Sequence, residues 1–264
     1  MISATVNESK NVGDSALDIA SGAEPKNFTR VIFDRIATLE RTRLQTQCLL
    51  ALSALPVWNH LVFRGAVALH GVWLHGRCSR DLDFLAPAEI KNRFMEIVGE
   101  QGLILHEKEG ARIPHFSMQG KVFKEVAVGI DVCTREFHEM TTINAVYQGG
   151  NTKIPVRVMP LPSLIAEKLR ATSRRTRSTD FYDVWVFAKR FPELLPDLRC
   201  LLQVGSVDGE RLGFNAQSTQ EHFSKCREGW QKDLVAYMPQ VPIFENVQRD
   251  LDELLKKVTT LKEF

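Results

Sequence analysis

The chain has 264 residues, 44% hydrophobic and 25% charged, and its 34 Lys and Arg nearly balance 32 Asp and Glu to leave a formal net charge of +2. That composition suits one large or two small globular domains and excludes a polycationic nucleic-acid binder, so any affinity for anions must come from local clustering. The five cysteines are scattered and form no Cys-x-x-Cys pair, which speaks against a disulfide framework or zinc site and for a reducing cytoplasm. No apolar run approaches the roughly 18–20 residues needed to cross a bilayer.

Residues 1–26 are polar and small, with no basic start followed by an apolar stretch, and are expected to form a flexible tail and not a signal peptide. From Asn27 to about Leu55 apolar residues recur at threes and fours, which predicts a helix that Pro56 stops. A short apolar run, His60 to Phe63, meets Gly65, and a helical stretch follows to about Leu74. Asp81 to Leu85 reads as a strand, and Pro87 opens a helix to about Glu100. Leu103 to Arg135 predicts strands turning at Glu109-Gly110 and Gln119-Gly120. Ile143 to Val158 predicts a hairpin turning at Gly149-Gly150-Asn151. After Pro162 only helices are expected: Leu164–Arg174, Asp180–Arg190, Pro192–Gln203, His222–Tyr237 and Phe244–Thr260. The fold class is therefore α/β (α+β), a mixed sheet core flanked by helices over 27–160 followed by a helical half over 161–264.

Two segments carry chemistry. In Asp81-Leu82-Asp83, residues two apart on a strand share a face, so both carboxylates can converge on one point. Their mutual repulsion is relieved by a hard divalent cation such as Mg²⁺, which takes one or two carboxylates and leaves its other positions to phosphate and water. Asp131, in Val128-Gly129-Ile130-Asp131-Val132, is a third strand acid that could complete a metal site or accept a proton from an attacking hydroxyl. Gly65, between a strand and a helix, would let backbone N–H groups face a triphosphate. The second segment holds five cations within ten residues, Lys168, Arg170, Arg174, Arg175 and Arg177, a local attractor for phosphate. Lys168 and Arg175 share a face if their helix persists that far. Asp180 suits a helix N-cap, and Asp183 is the better acid to orient Lys168 or Arg175. The alternatives are an exposed strand face and a salt-bridged helix surface. Tyr182, Trp185 and Phe187 read as core, and His70 and His75 as helix-surface or loop residues.

Together the segments FRGAVALHGVWLHGRCSRDLDFLAP (63–87) and LIAEKLRATSRRTRSTDFYDVW (164–185) resemble the AbiEii/AbiGii (MenT-like) nucleotidyltransferase toxins, through the Arg-x-Ser-x-Asp-Leu-Asp-Phe and Ala-Glu-Lys-Leu-x-Ala…Asp-x-Tyr-Asp signatures. The resemblance implies a DNA-polymerase-beta-like nucleotidyltransferase core. It also implies a role as the toxin half of a bacterial toxin–antitoxin or phage-defence system, with NTP as substrate and Mg²⁺ (or Mn²⁺) as cofactor. A tRNA or other RNA acceptor and a cognate antitoxin partner follow from it as well, while the lack of a long apolar run speaks against membrane association. Carried over by position, Asp81, Asp83 and Asp131 hold metal, and Gly65, Ala66 and Ser79 line the triphosphate. Lys168 and Arg175 contact phosphate, and Asp183 is a further catalytic or orienting acid. The first signature opens with Gly-Gly-Thr-Ala-Leu in that family, and Ala66 and Val67 stand here where it has its second glycine and its threonine. Two other readings fit the same residues: a catalytically degenerate member that binds nucleotide or a partner protein, and a small-molecule, antibiotic-type nucleotidyltransferase.

Overall fold

The computed structural model describes residues 25–100, 105–106, 115–119, 127–133, 142–203 and 214–259. Helix α1 (Pro25–Ser53) leads into strand β1 (Val62–Arg64), helix α2 (Gly65–Ala68) with its π-helical continuation Leu69–Leu74, strand β2 (Leu82–Leu85) and helix α3 (Ala88–Glu100). Strands β3 (Leu105–His106), β4 (His115–Gln119) and β5 (Ala127–Cys133) follow. The hairpin of β6 (Ile143–Gly149) and β7 (Thr152–Val158) comes next. The helices of the second half are α4 (Leu161–Thr172), α5 (Ser178–Arg190), α6 (Leu195–Gln203), α7 (Ala216–Lys225), α8 (Trp230–Val235) and α9 (Phe244–Thr259). Among the described residues no helix is long and apolar enough to cross a membrane. Nearly all of the expected tail, the turn expected at Glu109-Gly110, and Gly120 of the turn expected after Gln119 lie outside the described residues.

The seven strands form one mixed sheet in the order β3-β4-β5-β2-β1-β7-β6. At its centre β2 runs antiparallel to β1 and parallel to β5, while β1 is parallel to β7. Alternation along β2 sends Leu82 and Phe84 into the core, and leaves Asp83 between them on the other face. Phe63 and Phe84, paired across β1 and β2, stack with ring centroids 5.1 Å apart. They belong to a core that also takes Leu44, Leu49 and Leu52 from α1, Phe94 from α3 and Ile130 from β5. A second core gathers Leu164, Ile165 and Leu169 of α4, Phe181 and Phe187 of α5, and Leu251 and Leu254 of α9. The hairpin needs Gly150, whose φ of 59° at the first position of the two-residue loop suits a II′-type turn.

Several boundaries differ from the sequence expectation. Helix α4 ends at Thr172, where the backbone N–H groups of Arg174 and Arg175 both donate to Ala171 O, so Arg175 lies beyond the helix. Helix α5 starts at Ser178 with Arg177 at its N-cap, which puts Asp180 inside the first turn and not at the cap. The single helix expected over His222–Tyr237 is two, α7 and α8, joined by tight turns over Cys226–Gly229. That break lets Trp230 swing inward, edge-on to Phe223 and Phe244 at 5.6 Å from each. Asp81 falls just before the strand it was assigned to. His70 is buried, not on a helix surface, whereas His75 is an exposed loop residue with a φ of 48°.

Candidate active site

The sheet register delivers the acidic corner. Asp83 on β2 stands directly beside Asp131 on β5, and Asp81, two residues before Asp83, reaches the same end of the sheet. Arg64 pairs across β1 with Asp83, and the chain then turns away at Gly65 with φ 71°. The turn has no room for a side chain: a Cβ on Gly65 would lie 2.0 Å from Asp83 Oδ2, and one on Gly129 would lie 2.8 Å from Asp81 Oδ1. Ala66 has an ordinary negative φ in the first turn of α2, and Val67 is buried in the core. Neither departure from the family pattern therefore strains the backbone here, and Val67 occupies an apolar site where a hydroxyl would lack a solvent-facing role.

Burial pushes the Asp83 carboxyl up to about 7, with Asp131 and Asp81 adding to the shift, while Arg64 and Lys168 pull it down. Asp81, Asp83 and Asp131 bring hard oxygen donors to one corner, and a divalent cation there would relieve both their mutual repulsion and the cost of burying charge. Among the described residues no group of three or more His, Cys, Asp or Glu side chains is placed to hold a metal ion by itself. An arrangement of carboxylates that leaves coordination positions for phosphate oxygens is the way Mg²⁺ is commonly bound beside a nucleotide.

Opposite these acids, α4 presents Lys168. Its Nζ donates to Asp180 Oδ1 at 2.7 Å and lies 3.2 Å from Asp183 Oδ2, so two carboxylates of α5 fix the ammonium in place. Arg175 donates to the other oxygen of Asp180 at 2.8 Å. Asp180 thus joins the two cations that helix periodicity alone would have had to align. Although burial opposes ionisation, Lys168 and Arg175 hold the Asp180 carboxyl below its usual range.

Asp183 is fully buried behind Lys168, away from the cleft surface. Arg77 donates to its two oxygens from Nε and Nη2, both at 2.6 Å, and His70 Nε2 lies 2.8 Å from Oδ1. The Gly76 N–H donates to His70 Nδ1 at 3.3 Å, so Nδ1 is the acceptor and Nε2 carries the proton given to Asp183. Burial lowers the His70 pKa to about 4 against the pull of Asp183. Burial works against the Asp183 charge too, yet Arg77, Lys168 and His70 together keep it well below the ordinary carboxylate value. Asp183 thus holds His70, Arg77 and Lys168 together beneath the cleft.

The segment between the π-helical turns and β2 is clamped from two sides. Gln45 of α1 donates to Ser79 O at 3.2 Å and to Arg80 O at 2.7 Å, while the Cys78 N–H donates to Tyr237 O at 3.0 Å. Arg64 forms an ion pair with Glu167 at 2.7 Å, tying the end of β1 to the residue before Lys168. The result is an open cleft of about 1490 Å³ between sheet and helices, lined by Gly65, Ala66, Ser79, Asp81, Asp83, Asp131, Lys168 and Arg175. Eight of the nine site residues picked from the sequence line it, and Asp183 lies beneath. Gln45, Arg77 and Tyr237 carry no expectation from the sequence, and His70 is expected only as a helix-surface or loop residue. Arg77 alone had a signal, its place in the Arg-x-Ser-x-Asp motif.

A mixed sheet with paired acids at the ends of adjacent strands, facing a lysine on a helical second half across an open cleft, is the architecture of a nucleotidyltransferase. The family profile described as nucleotidyl transferase AbiEii toxin, type IV toxin–antitoxin system, matches residues 47–257, and the chain belongs to that family. Its fold is similar to that of MenT4, a nucleotidyltransferase toxin from Mycobacterium tuberculosis H37Rv, with a TM-score of 0.63 at 20% identity over 91% of each chain. It is also similar to JHP933 from Helicobacter pylori, with a TM-score of 0.50 at 20% identity over 81% of this chain and 90% of that one. No curated protein sequence matches it.

Proposed function

We propose that this nucleotidyltransferase moves a nucleoside monophosphate from an NTP to an acceptor hydroxyl, with RNA, tRNA in particular, as the acceptor. On this reading it works in the bacterial cytoplasm as a toxin held in check by a cognate antitoxin. On the same reading, 27–160 is the nucleotidyltransferase core and 161–264 the helical domain. The observation that carries the proposal is the convergence of Asp81, Asp83 and Asp131 with Lys168 and Arg175 on one cleft.

Mg²⁺ or Mn²⁺, held by Asp81 and Asp83 with Asp131 as a further ligand or base, would supply charge neutralisation at the triphosphate and the reacting oxygens. Lys168, immobilised by Asp180 and Asp183, binds the departing phosphates as a fixed point charge and needs no rearrangement as charge builds up. Arg175 adds a second cation at the same wall. Gly65 and Ala66 let the backbone approach the triphosphate closely, and Ser79 offers a hydroxyl beside it. The acceptor oxygen bonds to the α-phosphorus as the bond to pyrophosphate breaks, and Asp131 takes the hydroxyl proton. The exposed Arg174 and Arg177, next to Arg175, favour a polyanionic acceptor over a small neutral one.

The test is transfer of label from each of four α-labelled NTPs to total RNA and to tRNA. Wild type is expected to label RNA, and Asp81→Ala and Lys168→Met to lose at least about a hundredfold, as loss of a main electrostatic contact does. No transfer with any NTP, or undiminished transfer by both variants, overturns the proposal. Labelling of an aminoglycoside in place of RNA would replace the acceptor.

A further inference from the structure

The cleft is lined mostly by polar and charged residues, and among the described residues Tyr237 presents an aromatic ring on its helical side. Tyr237 follows α8 and is half-buried, and its carbonyl is fixed by the Cys78 N–H at 3.0 Å. The ring therefore stands beside the segment that leads to Asp81 and Asp83. The guanidinium of Arg80 lies 5.6 Å from the ring centroid and that of Arg77 5.9 Å. Arg77 is committed to Asp183. Arg80 is exposed, and its main chain is pinned by Gln45. A planar ring and a planar cation, both anchored through their backbones next to a phosphate-binding corner, have the form of a stacking surface. Stacking on an aromatic ring or an Arg plane suits any nucleobase, whereas the triphosphate itself gains nothing from a ring.

We infer that Tyr237 and Arg80 form a platform for a nucleobase, either that of the NTP or the terminal base of the acceptor. This rests on the nucleotidyl-transfer reading above. The competing explanation is that the ring only shields the Arg77–Asp183 pair from water. Titration calorimetry on the full chain with Mg²⁺ separates the two, using each NTP in turn and inorganic tripolyphosphate as a base-free probe.

For Tyr237→Leu, loss of one stacked base is expected to weaken NTP binding about tenfold or more, with tripolyphosphate binding unchanged. If the base is the acceptor's, NTP affinity holds and the acceptor KM rises by a similar factor at unchanged kcat. Tyr237→Phe retains the ring and restores the affected constant in either case. Equal loss of NTP and tripolyphosphate binding overturns the platform in favour of a shielding role. No change in any constant for Tyr237→Leu overturns it outright. If wild type binds neither NTP nor tripolyphosphate, the nucleotidyl-transfer reading itself fails, and the platform falls with it.

Discussion

Replacing Gly65 with alanine strikes the site at its tightest point. The residue adopts φ 71°, a region that costs an alanine about 1–2 kcal/mol. Its new methyl would lie 2.0 Å from Asp83 Oδ2, 2.7 Å from Cγ and 2.9 Å from Cβ, where ordinary contact begins at 3.4 Å. The carboxylate or the turn must therefore give way by more than an ångström, and a displacement of about 1 Å in a reacting group costs on the order of a hundredfold in rate. Gly150→Ala is the matched control. Its φ of 59° imposes the same backbone cost, but nothing lies within 4 Å of the added methyl. Gly150→Ala should lose about 1–2 kcal/mol in urea denaturation and Gly65→Ala at least as much, small against a typical stability of about 5–15 kcal/mol. Only Gly65→Ala should lose label transfer, by about a hundredfold or more. Wild-type transfer by Gly65→Ala, or equal loss in both variants, would refute the assignment of Gly65 as the seat of Asp83.

Asp183→Asn leaves Arg77 buried without its counter-charge and is expected to cost about 3–5 kcal/mol in urea denaturation, with Lys168 loosened and activity lost; a change below about 1 kcal/mol would contradict the buried cluster. Ala66→Gly should bring no gain in transfer and lose about 1 kcal/mol of helix stability, because Ala66 already has an unstrained φ; a large rate gain would show that its methyl obstructs the nucleotide. Acidification tests His70, which is enclosed by Asp183, Arg77 and Lys168 and titrates near 4 when folded against 6.5 when unfolded. The unfolded chain binds the extra proton in that window, so the stability carried by neutral His70 is complete above about pH 6.5 and is lost as pH falls toward 4. Asp83, raised from 3.8 to about 7, runs in the opposite sense over an overlapping range, so the comparison is with His70→Gln. Between pH 6.5 and 4 wild type should lose up to about 3 kcal/mol more than the variant, and parallel stability curves would contradict a neutral buried His70.

The parts of the site that could be read from sequence are those set by short-range period. Two-residue alternation puts Asp81 and Asp83 at one end of a strand, and the same logic makes Asp131 a strand acid. Its neighbour relation to Asp83 is a fact of register that no local pattern contains. Lys168 and Asp183 were found through spacing and motif. The structure adds that Asp180, suspected only as a cap, is the acid that gathers both Lys168 and Arg175. His70, Gln45 and Tyr237 escaped because their partners lie far away along the chain: Gln45 reaches residues 34 and 35 positions on, and His70 one 113 positions on. A histidine on a helix carries no local mark of the buried carboxylate awaiting it. The hairpin and most helices were legible from turn residues and periodicity. The break at Cys226–Gly229 was not, because the burial of Trp230 against Phe223 and Phe244 decides it.

The metal is expected at Asp81 and Asp83, with the triphosphate between it and Lys168. A crystal grown with Mn²⁺ and a non-hydrolysable NTP analogue, measured at the manganese absorption edge, tests it directly. The expected result is an anomalous peak bound by Asp81 and Asp83, with the triphosphate running from it toward Lys168 Nζ. A peak at any other group of side chains, or a triphosphate that leaves Lys168 untouched, would contradict it.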